Sequence, residues 1–557
     1  MTAALLAIAV AMLLPASAPA DKKATAKAKV PLSGPGLETI MQDDGLLLYR
    51  PAAEVQAAVV RMKELGADRV RITASWSSLT RTPESDVKPE GFDARDPAAY
   101  EQVRWEGLDT AIRAIRAAGL DALVDIGFWA PHWATNDPPG PRARTDIDPQ
   151  AYADFAAAVA LRYSGAFVPA PPAPQTPPAP SEDASLIGDL IQPLIPFPLP
   201  PLSPPRTTAR PAQAGTDAAP LPKVDRFILW NEPNHQGLLA PQWNADGRTP
   251  ASPAVYRAMV RAGYAAVKEV RRSATVLIGN TSSTGGTRGS GPVAPLEFLR
   301  ELACVDAKLK PRTSGDCASF TPLPGDGWAH HPYSQNERPS RVSKPKTERD
   351  DLRLADLPRL AVTLDKLVRM GRIAPANRDI YLTEFGYETK GIPGRPRVDE
   401  RQQARWLTWA EYLADRVPAV RSFAQFLLRD QPPAPERVSQ SDKRPFGEYS
   451  TGLLHIDGSE KIAGRSFLAG LFAQLQPKGG VLLYGRLRLD AGPKVIVLQR
   501  QVSGGPWKRV ARSVVDGRAS FQRIVKHTSG ALYRLTYPGA AGPRKSSLPL
   551  KPVAAGG

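Results

Sequence analysis

Glu232 stands in the segment Phe227-Ile228-Leu229-Trp230-Asn231-Glu232-Pro233-Asn234, and Glu384 in Ile380-Tyr381-Leu382-Thr383-Glu384-Phe385-Gly386. Each follows a short apolar run that reads as a buried strand, and each comes where that strand stops. Two carboxylates at the ends of parallel strands, brought face to face from distant parts of a chain, are the minimal equipment for cleaving a glycosidic bond. Glu388, four residues after Glu384, competes for the second position, but Glu384 lies directly at the strand end.

Such a pair needs a frame. From residue 37 onward short apolar runs alternate with amphipathic helical patterns, the signature of repeated βα units. The first strand falls near Thr39–Gln42. Helix 51–65 opens on Pro51 and ends at Gly66, and strand Val70–Trp76 follows. Helix 100–118 places Val103, Leu108, Ile112 and Ile115 on one face and precedes strand Ala122–Phe128. Helix 149–164 is capped by Asp148 with Pro149 behind it. After strand Phe227–Trp230 the pattern continues with helix 254–271, strand Val276–Asn280, helix 295–303, strand Gly327–His331, helix 350–370, strand Asp379–Thr383, helix 398–415, strand Phe423–Leu428 and a last helix at about 464–475. Eight units close an α/β fold of the (β/α)₈ barrel (TIM barrel) kind over residues 37–475. An open doubly wound sheet would need a Gly-rich phosphate loop after its first strand, and none is present.

Two regions break the pattern. Residues 166–223, between the third helix and the fourth strand, are rich in Pro and Ala and read as extended chain. A helix-to-strand connection emerges on the barrel face opposite the strand C-termini, so this insert is not expected to be a lid. Residues 480–537 hold five β-rich runs separated mostly by Gly-containing turns, a small antiparallel sandwich of immunoglobulin or fibronectin character. Residues 538–557 read as a flexible tail.

The C-terminal ends of the barrel strands collect the remaining candidates. Strand two ends on Trp76, strand three leads to Trp129 and Trp133, strand four delivers Asn231 with Glu232, and strand six delivers His330, His331 and Tyr333. Flat aromatic faces, carboxylates and polar donors are the ingredients of a sugar site. His330 and His331 differ in parity, so one points inward on a regular strand, and the spacing to Tyr333 selects His331. Trp76, Trp129 and Trp133 serve either as sugar platforms or as core.

These motifs resemble the clan A glycoside hydrolases, retaining barrel enzymes with an acid/base Glu after strand four and a nucleophilic Glu after strand seven. Among them the similarity is to family 39 and its family 5 relatives. Trp230-Asn231-Glu232-Pro233-Asn234 matches the Asn-Glu-Pro segment, Thr383-Glu384-Phe385-Gly386 the nucleophile segment, and His331-Pro332-Tyr333 the His-x-Tyr element. The resemblance implies Glu232 as acid/base with a raised pKa, Glu384 as nucleophile, Asn231 as donor to the sugar 2-hydroxyl, and Tyr333 as donor to Glu384. It implies Arg71 beneath the nucleophile, holding it charged, and His331 positioning the nucleophile or a hydroxyl. Read alone, Arg71 is equally a structural ion-pair partner. Retention of configuration implies carboxyl groups about 5–5.5 Å apart; a separation above about 6.5 Å implies inversion. One departure concerns strand eight, Phe423-Ala424-Gln425-Phe426-Leu427-Leu428-Arg429-Asp430, which lacks the tryptophan that many clan A enzymes place there. That leaves the sugar open, but not the reaction type.

Composition bounds the rest. Hydrophobic residues make up 42% of the 557 and charged residues 23%, a globular balance. Residues 2–14 are apolar, and Ala18-Pro19-Ala20 forms a small-x-small cleavage pattern, so 1–20 reads as a signal peptide and 21–36 as a basic flexible leader. The segment has no Lys or Arg before its apolar run, which leaves an uncleaved anchor as the alternative. No later run is long enough to span a membrane after cleavage, and the expected location is extracellular or at the cell envelope. In an exported chain Cys304 and Cys317 are expected to form a disulfide worth about 3 kcal/mol; the alternative is two buried thiols. The net charge of +17 fits acidic polysaccharides or an anionic envelope surface, or else solvated arginine on helix faces. No basic stripe with interleaved aromatics indicates nucleic acid. No His-x-x-x-His or Cys-x-x-Cys spacing indicates a metal, and a two-carboxylate mechanism needs no cofactor. The expected function is a secreted retaining glycosidase acting on a poly- or oligosaccharide. Its rivals are a non-catalytic carbohydrate-binding or adhesion protein on the same scaffold and a transglycosylase using the same residues.

Overall fold

The computed structural model describes residues 33–137, 142–170, 219–390, 397–432, 449–539 and 542–554. The signal peptide, residues 21–32 of the leader and insert residues 171–218 lie outside them.

Strand β1 (Ser33–Pro35) precedes β2 (Glu38–Gln42), the first barrel strand. The barrel continues through β3 (Arg69–Ser75), β4 (Asp121–Gly127), β5 (Arg226–Leu229), β6 (Thr275–Thr281), β7 (Trp328–His330), β8 (Ile380–Leu382) and β9 (Val420–Phe426). Neighbours pair in parallel in that order, and β9 returns to β2, with Ile40 opposite Ala424. The fold is a closed (β/α)₈ barrel. Most helices between strands fall where the punctuation placed them; short helices at Asp44–Leu47 and Trp76–Leu79 were not expected, and the helix expected over 350–370 spans only Leu357–Arg369. Ala52–Glu64 starts behind Pro51 and buries Val55, Val59 and Met62. Pro149–Arg162 is capped by the Asp148 carboxylate, which accepts from the Gln150 and Ala151 N–H groups. In Gln102–Ala117 the buried face runs through Trp105, Leu108, Ile112 and Ile115. Val103, expected on that face, is 65% exposed: it lies two positions from Trp105 and so on another side of the helix.

Inward-pointing residues alternate along each barrel strand. Ile40, Leu123, Ile228, Leu277, Ala329 and Ala424, one from each of six strands, form a dry plug in the lumen. The next inward residues after Ile40 and Leu123 are Gln42 and Asp125, and Arg71 lies two after Arg69, so a polar layer rests on the apolar one.

The C-terminal region differs from expectation in three places. The last barrel helix covers only Ile462–Phe467; the stretch expected to continue it is β10 (Ala469–Leu475), whose alternate residues Ala469, Leu471 and Ala473 enter the sandwich core. That core lies between two four-stranded sheets, completed by β11 (Gly480–Leu487), β12 (Pro493–Gln501), β13 (Lys508–Asp516), β14 (Ala519–Lys526), β15 (Leu532–Tyr537) and β16 (Lys545–Ser546), in the orders β1-β14-β11-β10 and β13-β12-β15-β16. Residues 33–35, expected in a flexible leader, are the edge strand β1, with Ser33 opposite Phe521. Residues of the expected loose tail pair with β15, Leu550 is buried, and Val553 bridges Gln474. Short apolar side chains at Leu550 and Val553 are enough to seat that segment once β15 offers an edge.

The outer face of the β10–β11 sheet packs on helix Glu400–Asp415. Phe472 stacks on Tyr412 at 4.6 Å and on Trp409 at 5.5 Å. Buried Glu411 accepts from Arg486 at 3.2 Å and Arg488 at 2.7 Å. Cys304 and Cys317 form a disulfide with Cα atoms 5.6 Å apart. No helix among the described residues is long and apolar enough to cross a membrane.

Candidate active site

Arg71 is the hub of the polar layer. Its guanidinium, 1% exposed, donates through Nη2 to Asp125 Oδ2 at 2.5 Å and Asn231 Oδ1 at 2.8 Å, and through Nη1 to Gln42 Oε1 and Glu384 Oε1. Burial alone would lower its pKa, but the charges of Glu384 and Asp125 outweigh that and hold the guanidinium above its ordinary value. Burial pushes Asp125 up to about 6 in spite of Arg71. Glu384 Oε1 is thus held by Arg71, and its Oε2 accepts from Tyr333 Oη at 3.0 Å. With both oxygens held, the carboxylate is fixed in orientation.

Glu232 has a different environment. Its Oε1 lies 2.9 Å from His331 Nδ1, and the other ring nitrogen lies 2.9 Å from Asn280 Oδ1. The Asn280 amide is oriented by its other bonds: its NH₂ donates to Trp230 O at 3.1 Å and Asn231 Oδ1 at 3.0 Å, and its Oδ1 accepts from Thr383 Oγ1 at 2.8 Å. His331 Nε2 therefore carries a hydrogen, and Nδ1 and Glu232 share one proton between them. Burial pushes the Glu232 carboxyl up, but the hydrogen bond and charge of His331, with His235 and Arg71 farther off, bring it below its usual value. This corrects the expectation of a raised pKa: in the free protein the contacts of Glu232 favour its charged form. The same contacts orient Asn231, whose Oδ1 accepts from Arg71 and Asn280 and whose NH₂ has no partner among the described residues.

One oxygen of Glu232, one of Glu384 and a nitrogen of His331 lie within 4.8 Å of one another. The backbone bends sharply to reach this arrangement. Trp230, Glu232 and Asn280 have φ of +67°, +40° and +48°, and Glu232 N donates to Asn280 O at 3.0 Å. Non-glycine residues in this region cost on the order of 1–3 kcal/mol each and persist only where surrounding structure enforces them. Three of them surround one carboxylate. The same His/carboxylate trio has the spacing of metal ligands, but Arg71 already neutralises Glu384 and both His331 nitrogens are committed, which opposes a cation.

Glu232, Glu384, Asn231, Arg71, His331 and Tyr333 thus converge. The tryptophans do not join them as expected. Trp76 has no exposed surface and stacks on Phe155 at 5.3 Å with 8° between the planes, so it is core. Trp129 is 4% exposed, donates to Gly237 O at 2.8 Å and is covered by Arg142 at 4.8 Å. Trp133 is half-buried, edge-on to Trp76 at 6.1 Å. Phe128 and Phe426, at the C-terminal ends of β4 and β9, are half-buried. Trp76→Ala is expected to cost about 3–5 kcal/mol of stability and leave KM unchanged; a raised KM with unaltered thermal unfolding would return Trp76 to the substrate.

Residue-type reasoning missed Asp125, Asn280 and Gln42. The available signal was a charged or amide residue at inward parity in an otherwise apolar strand. A further buried acid, Asp43, follows β2 and accepts from Leu46 N at 3.2 Å and Arg429 N at 3.0 Å. Burial pushes it up to about 7 although Arg429 pulls it down. Between about pH 4 and 7 the folded chain holds a proton on Asp43 that the unfolded chain has released. Raising the pH through that window therefore removes stability, by about 1.4 kcal/mol per unit. Asp43→Asn removes this slope, so thermal unfolding at pH 5 and 7.5 should differ less in the variant than in the wild type; equal differences would refute the assignment.

No protein-family model matches the chain, and no curated protein does. Among solved structures the chain is similar to a GH5_18 protein from Bifidobacterium longum subsp. infantis, at 15% identity over 77% of this chain and 77% of that one, with a TM-score of 0.39. It is similar to the exo-beta-1,4-mannosidase Op5Man5 from Opitutaceae bacterium strain TAV5, at 16% identity over 77% of this chain and 58% of that one, TM-score 0.39. A GH5_18 protein from Streptomyces cattleya in complex with GlcNAc matches at 16% identity over 78% and 79% of the two chains, TM-score 0.40.

Proposed function

We propose that this chain is an exported retaining glycoside hydrolase acting on a poly- or oligosaccharide. The observation that carries the reading is the pairing of Glu232 and Glu384 oxygens within 4.8 Å, with one carboxylate clamped and the other sharing a proton. That closeness of the two carboxylates suits direct attack by one of them on the anomeric carbon.

In the first step Glu384 attacks the anomeric carbon while Glu232 gives the proton it shares with His331 Nδ1 to the departing oxygen. The C–O bond of the substrate breaks as the glycosyl-Glu384 ester forms. Asn231 NH₂ donates to the sugar 2-hydroxyl, a bond that strengthens as positive charge develops at the ring. Arg71 and Tyr333 hold and aim Glu384, and each then stabilises it again as leaving group. In the second step Glu232 takes a proton from water, whose oxygen attacks the same carbon and frees Glu384. Net retention follows from two inversions.

The disulfide supports an oxidising compartment and hence export. The test is turnover of a panel of aryl glycosides and polysaccharides, with NMR of the first product formed. Retained configuration is expected; an inverted first product would reject the mechanism. Hydrolysis without added acceptor separates it from a transglycosylase.

A further inference from the structure

The positive charge of the chain is concentrated where no catalytic role reaches it. Residues 469–557 hold fifteen lysines and arginines against two acids, Asp490 and Asp516, so they carry thirteen of the seventeen net charges. The charge is therefore not spread over helix faces.

Strand register shows where it lies. On β12, Val495, Val497 and Gln499 pair with Val514, Arg512 and Arg509 of β13, and the latter two β12 residues pair with Thr536 and Arg534 of β15. Ile496, Leu498 and Leu535 are buried, so these paired residues face outward. Arg544 lies along the far side, donating to Val495 O and Thr536 O, both at 2.8 Å. The result is a neutral strip of Val495, Val497 and Gln499 with Arg509 and Arg512 on one bank and Arg534 and Arg544 on the other. With strands about 4.8 Å apart, the β13 and β15 banks stand about 10 Å apart. Among the described residues none of the four arginines has a carboxylate partner; Arg534 donates to the Gln499 amide oxygen at 2.8 Å. Asp516, at the end of β13, is occupied by the Gly492 and Arg518 N–H groups. The other sheet packs the outer face of its β10 and β11 strands on Trp409 and Tyr412 of the barrel, whereas Arg509, Arg512 and Val514 of β13 are exposed.

We infer that the outer face of the β13-β12-β15-β16 sheet binds a single chain of an anionic polysaccharide, carboxylated or sulfated, and so anchors the barrel to its polymer. The choice of a glycan among polyanions rests on the glycosidase reading of the barrel, and the surface itself agrees. Trp507 carries Arg534 over one ring face at 4.2 Å, so that face is not open for base stacking. The strip is flat, without an apolar helix to enter a lipid interface. Repeated cations along both banks suit a charge on successive sugars, and each contact releases counterions.

The experiment uses the full chain carrying Glu384→Gln, so that binding is read without turnover. Isothermal titration with polygalacturonate should show binding that weakens steeply between 50 and 200 mM salt, with none to neutral dextran. Arg509→Gln/Arg512→Gln in the same background should weaken it at least tenfold. The double substitution in the wild-type chain should leave turnover of a small aryl glycoside unchanged. Equal affinity of the double variant, or tighter binding to oligothymidylate or to phosphatidylglycerol vesicles than to polygalacturonate, would overturn the inference. A barrel inactive on every glycoside, with this binding intact, would overturn the reading of the barrel and not this one.

Discussion

Glu384→Gln is expected to lower kcat/KM on an aryl glycoside by about 10,000-fold or more, a loss of about 5.5 kcal/mol of transition-state stabilisation. The substitution keeps shape and most contacts. Its amide oxygen can still accept from Arg71 and its NH₂ can face the Tyr333 oxygen. What it loses is the electron pair that forms the glycosyl ester, so no covalent intermediate accumulates. Because Asp125 remains 2.5 Å from Arg71, the buried guanidinium keeps one counter-charge and the fold should survive. Added azide should restore turnover by occupying the vacated position, with inverted product. Full activity of Glu384→Gln without azide would sink the nucleophile assignment, and rescue with retained product would move the nucleophile elsewhere.

Glu232→Gln should behave differently, and the difference is the stronger evidence. A general acid contributes about 100- to 10,000-fold, and only where the departing oxygen needs a proton. Loss of kcat/KM should therefore be large for a phenyl or alkyl glycoside and small for a dinitrophenyl one. With the dinitrophenyl substrate the ester forms but no base activates water, so a burst followed by slow turnover is expected. Azide should then speed the second step and yield a retained glycosyl azide. His331 stays hydrogen-bonded to Asn280 in this variant but loses the carboxylate that shared its proton. Equal loss across all leaving groups would remove Glu232 from the acid/base role.

The barrel was legible because its strands and helices obey different periods. Runs such as Phe227–Leu229 and Ile380–Leu382 are too short and too apolar for anything but buried strands, and Pro51, Gly66, Asp148 and Pro149 mark helix ends by backbone chemistry alone. Glu232 and Glu384 could be found because they end such runs. Trp76 could not be assigned from its position, since a strand's last residue turns inward or outward by parity and here begins a helical turn into the core. The Glu232 pKa was misjudged for a related reason. Burial was foreseeable, but the Asn280 amide, which turns His331 Nδ1 toward Glu232, is oriented by bonds from three segments at once. The extent of the sandwich was misjudged at both ends because β1, β10 and β16 are short or follow a helix directly, and only their partners make them strands.

That first strand has a bearing on how the molecule can be handled and assembled. β1 is made before any of the barrel, yet the edge it covers, β14, emerges only after the whole barrel has been made. The front of the chain must wait, and the back cannot be finished without it. Cutting the polypeptide after Phe467 would not free two tidy modules: the excised sandwich would expose β14 as a bare edge open to strand addition, and the barrel would trail an orphan ribbon. The strand that precedes the barrel is latched to one that follows it, so a bulky fusion immediately before Ser33 is expected to loosen the sandwich before it disturbs the adjoining barrel.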